Sequence, residues 1–302
     1  MGERPDAILI AGPTASGKSA LAIALARESG GVIVNADSMQ VYGVLSILTA
    51  RPKEADMAAC EHRLYGHVPP SRAYSVAQWL DEASRTLRDL AAQGRTAIFV
   101  GGTGLYFTAL TQGLSSMPEP ASAIRAAWRA RALEEPQSLH GELARRDREG
   151  AARLNPSDIQ RLVRALEIYD STGLPIGYFQ REGARNAPLA GLTVERRLLV
   201  PPRERLHARI AERFDAMLEA GAEGEVRALL ALNLPPDLPA MKAIGVPQLA
   251  AWLGGETSLE HAAEAAKAAS RQYAKRQMTW FRNQFGEDWV LVDPEDDPGP
   301  GR

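Results

Sequence analysis

The sequence predicts an α/β protein, a parallel sheet flanked by helices and interrupted by an all-helical insertion domain. Three observations predict it. Short apolar runs alternate with helical stretches over the first third of the chain. From "SMPEPAS", Ser116 to Ser122, to about Gln180 the texture is helical and arginine-rich, and at Arg196 to Val200, "RRLLV", a strand pattern returns. With 302 residues, 45% of them apolar, the chain can bury a sizeable core as one large domain or two smaller ones.

In chain order, "AILIA" (Ala7 to Ala11) reads as a buried strand. A loop from Gly12 to Gly17 leads into a helix from Lys18 to Glu28, which Gly30 and Gly31 end. "VIVNAD", Val32 to Asp37, is a second strand beside the first. Ser75 to Ala92 is an amphipathic helix, with Ser75 as N-cap and Gly94 beyond its end. "TAIFV", Thr96 to Val100, is a third strand and runs into "GGTGLY". This repeated strand–loop–helix order belongs to a parallel sheet. The core then comprises residues 1–117 and 193–302, and the insertion residues 118–192. After the strand closed by Pro201-Pro202, helical patterns cover Glu204 to Gly221, Glu223 to Leu232 and Ser258 to about Phe285. "WVLV", Trp289 to Val292, reads as a last strand, and "DPEDDPGPGR" as a disordered tail.

Composition narrows the function classes. The single cysteine, Cys60, rules out an intramolecular disulfide and fits a reducing compartment. The N-terminus has a short apolar run beside Glu3 and Asp6, so it does not read as a secretory signal. No stretch approaches the roughly 20 apolar residues that span a membrane, and a cytoplasmic location is expected. A net charge of −2 and a pI near 6.3 give no global nucleic-acid signal, so any such binding must come from local patches. No long exposed heptad run suggests an oligomer, a monomer is expected, and no obligate protein partner is implied.

Gly12-Pro13-Thr14-Ala15-Ser16-Gly17-Lys18-Ser19 fits G-x-x-x-x-G-K-[ST] between a strand and a helix, which makes the expected core P-loop NTPase-like. Glycines permit the tight turn, while backbone N–H groups and the helix N-terminus favour an anion. Lys18 is expected on terminal phosphate oxygens and Ser19 on Mg²⁺. The motif does not name the ligand. Against an ordinary ATPase, the strand Thr96 to Val100 runs into Gly101-Gly102-Thr103-Gly104 with no carboxylate to hold Mg²⁺ and orient water.

Asp37, at the C-terminal end of its strand, stands where such sheets place ligand groups. It can serve as a general base, as a Mg²⁺ ligand through water, or as a cap for the next turn. Near the C-terminus, Ala265 to Phe285 holds five basic residues (Lys267, Arg271, Lys275, Arg276, Arg282) and no acidic one. At helical spacing Arg271, Lys275 and Arg282 share a face, with Tyr273 and Trp280 on another. Two readings fit: a helix with aromatics in the core and charges in water, or a face that binds a nucleic-acid backbone.

Five blocks in this order, "GPTASGKS", "ADSMQVY", "GGTGLY", "NPSDIQRLVRALEIYDSTG" and "RQYAKRQMTWFR", resemble the tRNA dimethylallyltransferase (tRNA isopentenyltransferase) family over nearly the whole chain. The resemblance implies transfer of a dimethylallyl group from dimethylallyl diphosphate to N6 of the adenosine 3′ of the anticodon. Its alternatives are a P-loop kinase for a small metabolite and a nucleotide-dependent RNA-binding protein without chemistry. By resemblance, Gly12, Thr14, Ala15, Ser16, Gly17, Lys18, Ser19 and Arg213 hold the diphosphate with Mg²⁺ at Ser19. Asp37 and Thr103 are catalytic, Asp37 taking the amine proton. The anticodon stem-loop of tRNA is met by Asp37, Ser38, Met39, Gln40, Thr103, Arg125, the stretch Gln160, Arg161, Leu162, Val163 and Arg164, the region from Lys242 to Pro247, and Arg271 and Lys275.

The chain departs from the family pattern at two places. Members read "YRGMDIGTAKP" where this chain has "YGVLSILTARP". Ser46 thus replaces an aspartate and Leu48 a glycine, and Leu48 is expected to distort the loop near the donor. "AIGVPQL" lacks a Tyr-Arg pair after the glycine, so Val246 and Pro247 remove a ring and a cation from a tRNA contact. Cys60 and His62 have no second pair to complete a metal site, and the other histidines make no constellation.

Overall fold

The computed structural model describes residues 4–181, 184–185 and 187–293. The tail read above as disordered lies, from residue 294 on, outside the described residues. The chain divides into two compact units, residues 1–111 with 188–302, and residues 112–187.

In the first unit the strand period of two is visible in β1 (Ala7–Ala11): Ala7, Leu9 and Ala11 pack into one apolar layer, Ile8 and Ile10 into the other. The loop that follows turns into α1 (Lys18–Ser29), which lays Leu21, Ala22, Leu25 and Ala26 on the Ile8 side. Then come β2 (Val32–Asn35), the short α2 (Glu54–Ala59) and β3 (His62–Arg63), the last two without a sequence signal because neither is long enough to show a period. In α3 (Val76–Ala92) Ser75 forms the expected cap: Ser75 Oγ accepts from Gln78 N at 3.2 Å and Gln78 Oε1 accepts from Ser75 N at 2.9 Å. β4 (Ala97–Gly101) and α4 (Gly104–Gln112) complete the half.

The second unit begins with β5 (Leu114–Ser115) and contains α5 (Ser122–Glu134), α6 (Leu139–Arg146), α7 (Arg148–Arg153), α8 (Ile159–Thr172) and α9 (Ile176–Arg181). It ends with β6 (Ala184–Arg185), which pairs antiparallel with β5. Trp128, Leu139, Leu143, Leu162 and Leu166 form its core. Much of its arginine content is structural. Glu142 accepts from Arg131 at 2.8 Å, Arg145 at 2.6 Å and Arg146 at 2.7 Å, and Arg131 and Arg146 both lie over the Trp128 ring.

Back in the first unit, β7 (Val194–Leu199) and β8 (Val290–Val292) extend the sheet around α10 (Arg203–Glu219), α11 (Ala222–Leu230), α12 (Val246–Leu253) and α13 (Leu259–Gln284). The six strands run parallel in the order β3-β2-β4-β1-β7-β8. The expectation that Asp37 follows a strand next to the phosphate strand is therefore corrected: β4 lies between them. Asp37 still reaches the same end of the sheet because β2, β4 and β1 run parallel, and β4 ends in a glycine that the chain leaving β2 passes closely. A Cβ on Gly101 would lie 2.0 Å from Ala36 O, so only glycine lets the chain leaving β2 lean across. No helix among the described residues is long and apolar enough to cross a membrane.

Candidate active site

The loop from Gly12 to Ser19 is held open by two residues in the left-handed region, Ala15 (φ 63°) and Gly17 (φ 94°). Gly12 is required by contact as well: a Cβ there would lie 2.7 Å from Ser16 Oγ and 3.2 Å from Leu199 Cβ. Ser16 Oγ is buried with no hydrogen-bond partner. Thr14 is pinned at both of its polar ends, its hydroxyl accepting from Arg213 Nη2 and its N–H donating to Gln277 Oε1 at 2.9 Å. Lys18 Nζ donates to Pro13 O at 3.1 Å. Burial pulls the Lys18 ammonium down to about 8; the Asp37 carboxylate pushes it back up and the Arg213 charge lowers it further. Burial also lowers Arg213, with Asp37 opposing.

Two cavities open from this loop and share Arg213 and Met217 as lining residues. One, of about 970 Å³, is walled by the loop from Ala15 to Ser19 and by Ser46, Ile47, Arg51 and Arg209. The other, of about 270 Å³, has Asp37, Thr14, Ser38 and Lys242 with Leu48, Phe214, Ile244 and Tyr273. Asp37 thus looks into the smaller cavity while Lys18 and Ser19 look into the wider one.

Asp37 is fixed by its neighbours. Its N–H donates to Asn35 Oδ1 at 2.8 Å and its Oδ1 accepts from Met39 N at 2.9 Å, so the capping reading holds for one carboxylate oxygen. Asn35 in turn donates to Asp37 O and Leu64 O, each at 3.0 Å, and its own carbonyl accepts from Trp79 Nε1 at 2.8 Å. Thr103 Oγ1 accepts from Ser38 N at 3.0 Å. Burial raises the pKa of the Tyr273 hydroxyl, and the nearby Asp37 charge adds to the rise. Together these hydrogen bonds hold the turn that carries Asp37 in place.

Other expected residues fall differently. Gln40 Nε2 donates to Thr49 O at 2.8 Å and Ala50 O at 3.0 Å, so its amide holds the next turn. Leu162 and Val163 are corrected: both are buried in the second unit's own core, which leaves Gln160, Arg161 and Arg164 with surface to offer. In that unit Arg125 pairs with Glu119 at 3.4 Å. On α13 Lys275 is exposed and Arg271 half-buried, and neither lines the Asp37 cavity, whereas Arg276 does, its guanidinium over the Tyr273 ring. Lys267 is committed to Asp215 at 2.8 Å and Glu264 at 3.1 Å.

The expected distortion at Leu48 is also corrected. Glu225 accepts from Ser46 N, Ser46 Oγ and Ile47 N, each at 2.7 Å, and from Leu48 N at 3.1 Å, so one carboxylate fixes the whole turn. Leu48 packs against Gly245, where a Cβ would lie 2.6 Å from Leu48 Cδ2. Ser46 suits this arrangement because its hydroxyl donates where a second carboxylate would repel. Val246 is buried in the core and Pro247 sits at the start of α12, where its missing N–H costs nothing.

Gln277 was not anticipated. It bridges Thr14 N and, through Nε2 at 2.9 Å, Gly102 O. Its signal was present: it falls in the buried stripe of Ala266, Ser270, Ala274 and Phe281, where an amide is out of place unless bonded.

The family model for IPP transferase matches residues 40–284, and that for isopentenyl transferase residues 5–67. A tRNA dimethylallyltransferase of Rhizobium meliloti (strain 1021) is 57% identical over 293 residues, 96% of each chain. The crystal structure of a tRNA isopentenylpyrophosphate transferase from Bacillus halodurans, 32% identical, superposes with a TM-score of 0.68 over 96% of this chain and 90% of that one. A eukaryotic dimethylallyltransferase captured acting on tRNA, 28% identical, gives 0.80 over 95% of this chain and 73% of that one. A family match over most of the chain, and a relative this similar along its full length, establish that the chain belongs to the IPP transferase family.

Proposed function

We propose that the protein transfers a dimethylallyl group from dimethylallyl diphosphate to N6 of the adenosine 3′ of a tRNA anticodon. The observation that carries this reading is the placement of Lys18 and Asp37 on the two cavities that share Arg213, an anion site and a carboxylate a short step apart. The amine would attack the allylic carbon as a new N–C bond, the C–O bond to the diphosphate would break, and pyrophosphate would leave with the bonding pair. Loop amides, Lys18 and Arg213 stabilise that growing charge. The oxygen of Asp37 that does not cap Met39 takes the amine proton. The donor set suits Mg²⁺: Ser19 offers one hydroxyl beside the diphosphate oxygens, the all-oxygen arrangement this ion prefers. When bound, Mg²⁺ neutralises charge on the diphosphate. The acceptor places the work in the cytoplasm, with the tRNA pool.

The test incubates purified protein with unmodified tRNA, Mg²⁺ and either dimethylallyl diphosphate or ATP, then digests the tRNA. Adenosine carrying one added five-carbon unit only with the prenyl donor supports the reading. ATP consumed with tRNA unchanged overturns it.

Two further results follow. Affinity for inorganic pyrophosphate is expected to fall by roughly tenfold per pH unit once Lys18 loses its proton above about 8. Below that value the ammonium is charged and binding is strongest. In the free protein the sign is opposite: between about 8 and 10.5 the unfolded chain holds the Lys18 proton more tightly, so this group lowers stability as pH falls through that window. Titration calorimetry of wild type against Lys18→Met cancels the ligand's own protonation; parallel pH profiles would remove Lys18 from the site. On α13, Lys275→Ala is expected to weaken tRNA binding and make the log K against log [salt] slope shallower by about one. An unchanged slope returns that face to water.

A further inference from the structure

We propose that Gln277 is a positioning residue for the transfer, an inference that rests on the reaction proposed above. Its amide ties the diphosphate loop to the turn bearing Thr103. Oε1 accepts from Thr14 N at 2.9 Å and Nε2 donates to Gly102 O at 2.9 Å, with the side chain buried. The two attachment points lead in opposite directions. Thr14 carries the bond from Arg213, on the anion side. Gly102 precedes Thr103, whose hydroxyl accepts from Ser38 N next to Asp37, on the proton-accepting side. One planar amide thus sets the spacing between the donor and the base.

The surrounding sequence is shaped to admit it. A Cβ on Gly102 would lie 2.1 Å from Gln277 Nε2, and one on Gly104 would lie 2.1 Å from Trp280 Cδ1. The glycine-rich turn is therefore a seat for α13. The apolar residues Ala266, Ala274 and Phe281 already bury that helix, so packing alone does not call for an amide at 277. A misplacement of about 1 Å between reacting groups can cost around 10²-fold in rate, which is the scale on which this spacing matters.

Two variants test it, each beside wild type. Gln277→Leu keeps an apolar filling and loses both bonds; kcat is expected to fall by roughly 30-fold or more with KM for tRNA within about twofold. In Gln277→Glu the carboxylate repels Gly102 O when ionised, but the protonated acid donates to Gly102 O and accepts from Thr14 N–H as the amide does. Burial raises the pKa of such a glutamate. The titratable groups gathered at this seat are Tyr273 on α13, Asp37, Lys18 and Arg213, and all four are common to wild type, so their titration cancels in the ratio of rates. That ratio, Gln277→Glu over wild type, is expected to rise at least about tenfold from pH 8 to pH 6. A flat ratio, or Gln277→Leu turning over within about threefold of wild type, overturns the inference. Wild type that transfers nothing instead overturns the proposed reaction, so the two failures are told apart.

Discussion

Replacing Asp37 with Asn is expected to slow single-turnover transfer by roughly 10²–10⁴-fold while leaving affinity for inorganic pyrophosphate and Mg²⁺ within about threefold. The choice of Asn is dictated by the geometry. Asp37 Oδ1 accepts from Met39 N, and an asparagine oxygen can do the same, so the turn after β2 survives and only the charge and the proton acceptor are lost. The three roles open to this residue then separate. A capping role alone gives near wild-type rate. A Mg²⁺-ligand role weakens pyrophosphate binding along with rate. A general-base role lowers rate alone, because N6 of adenine is a poor nucleophile until its proton has somewhere to go. Transfer at more than about a third of the wild-type rate would sink the base assignment.

What the sequence made legible is what is encoded locally. The β1–loop–α1 unit, the Ser75 cap and the ends of α13 are each written within a few residues of themselves, by apolar period, cap and glycine. Asp37 and Lys18 stand out for the same reason, each by its place at the end of a strand or the start of a helix. The rest depends on partners far apart in the chain. β4 enters between β1 and β2, which no reading of strand order along the chain reveals. The turn at Ser46 to Leu48 looked ill-formed until Glu225, on a helix in the C-terminal half, was seen to hold its amides. Leu48 and Gly245 are a matched pair, a large side chain facing the position with no Cβ, and neither is informative alone. Arg161 and Leu162 are adjacent in a motif yet point to water and core respectively, a difference the helical period could have supplied.

Arg213 bears the second large effect. Arg213→Met is expected to lower kcat/KM for the prenyl donor by roughly 10²–10³-fold, with KM for tRNA within about twofold. The guanidinium lines both cavities and bonds the Thr14 hydroxyl, and burial and the Asp37 charge act on it in opposite senses. It can therefore act in two ways, by meeting the leaving charge directly or by orienting Thr14 for the loop. A double-mutant cycle with Thr14→Val decides between them. Additive losses assign Arg213 to the diphosphate itself. A coupling of about 1 kcal/mol or more assigns part of its effect to Thr14. Arg213→Lys is expected to recover little in either case, because an ammonium cannot hold Thr14 and an anion with one rigid fork. If Arg213→Met kept kcat/KM within about fivefold, the cation shared by the two cavities would be a structural strut. The charge on departing pyrophosphate would then rest on Lys18, the loop amides and the Mg²⁺ proposed at Ser19.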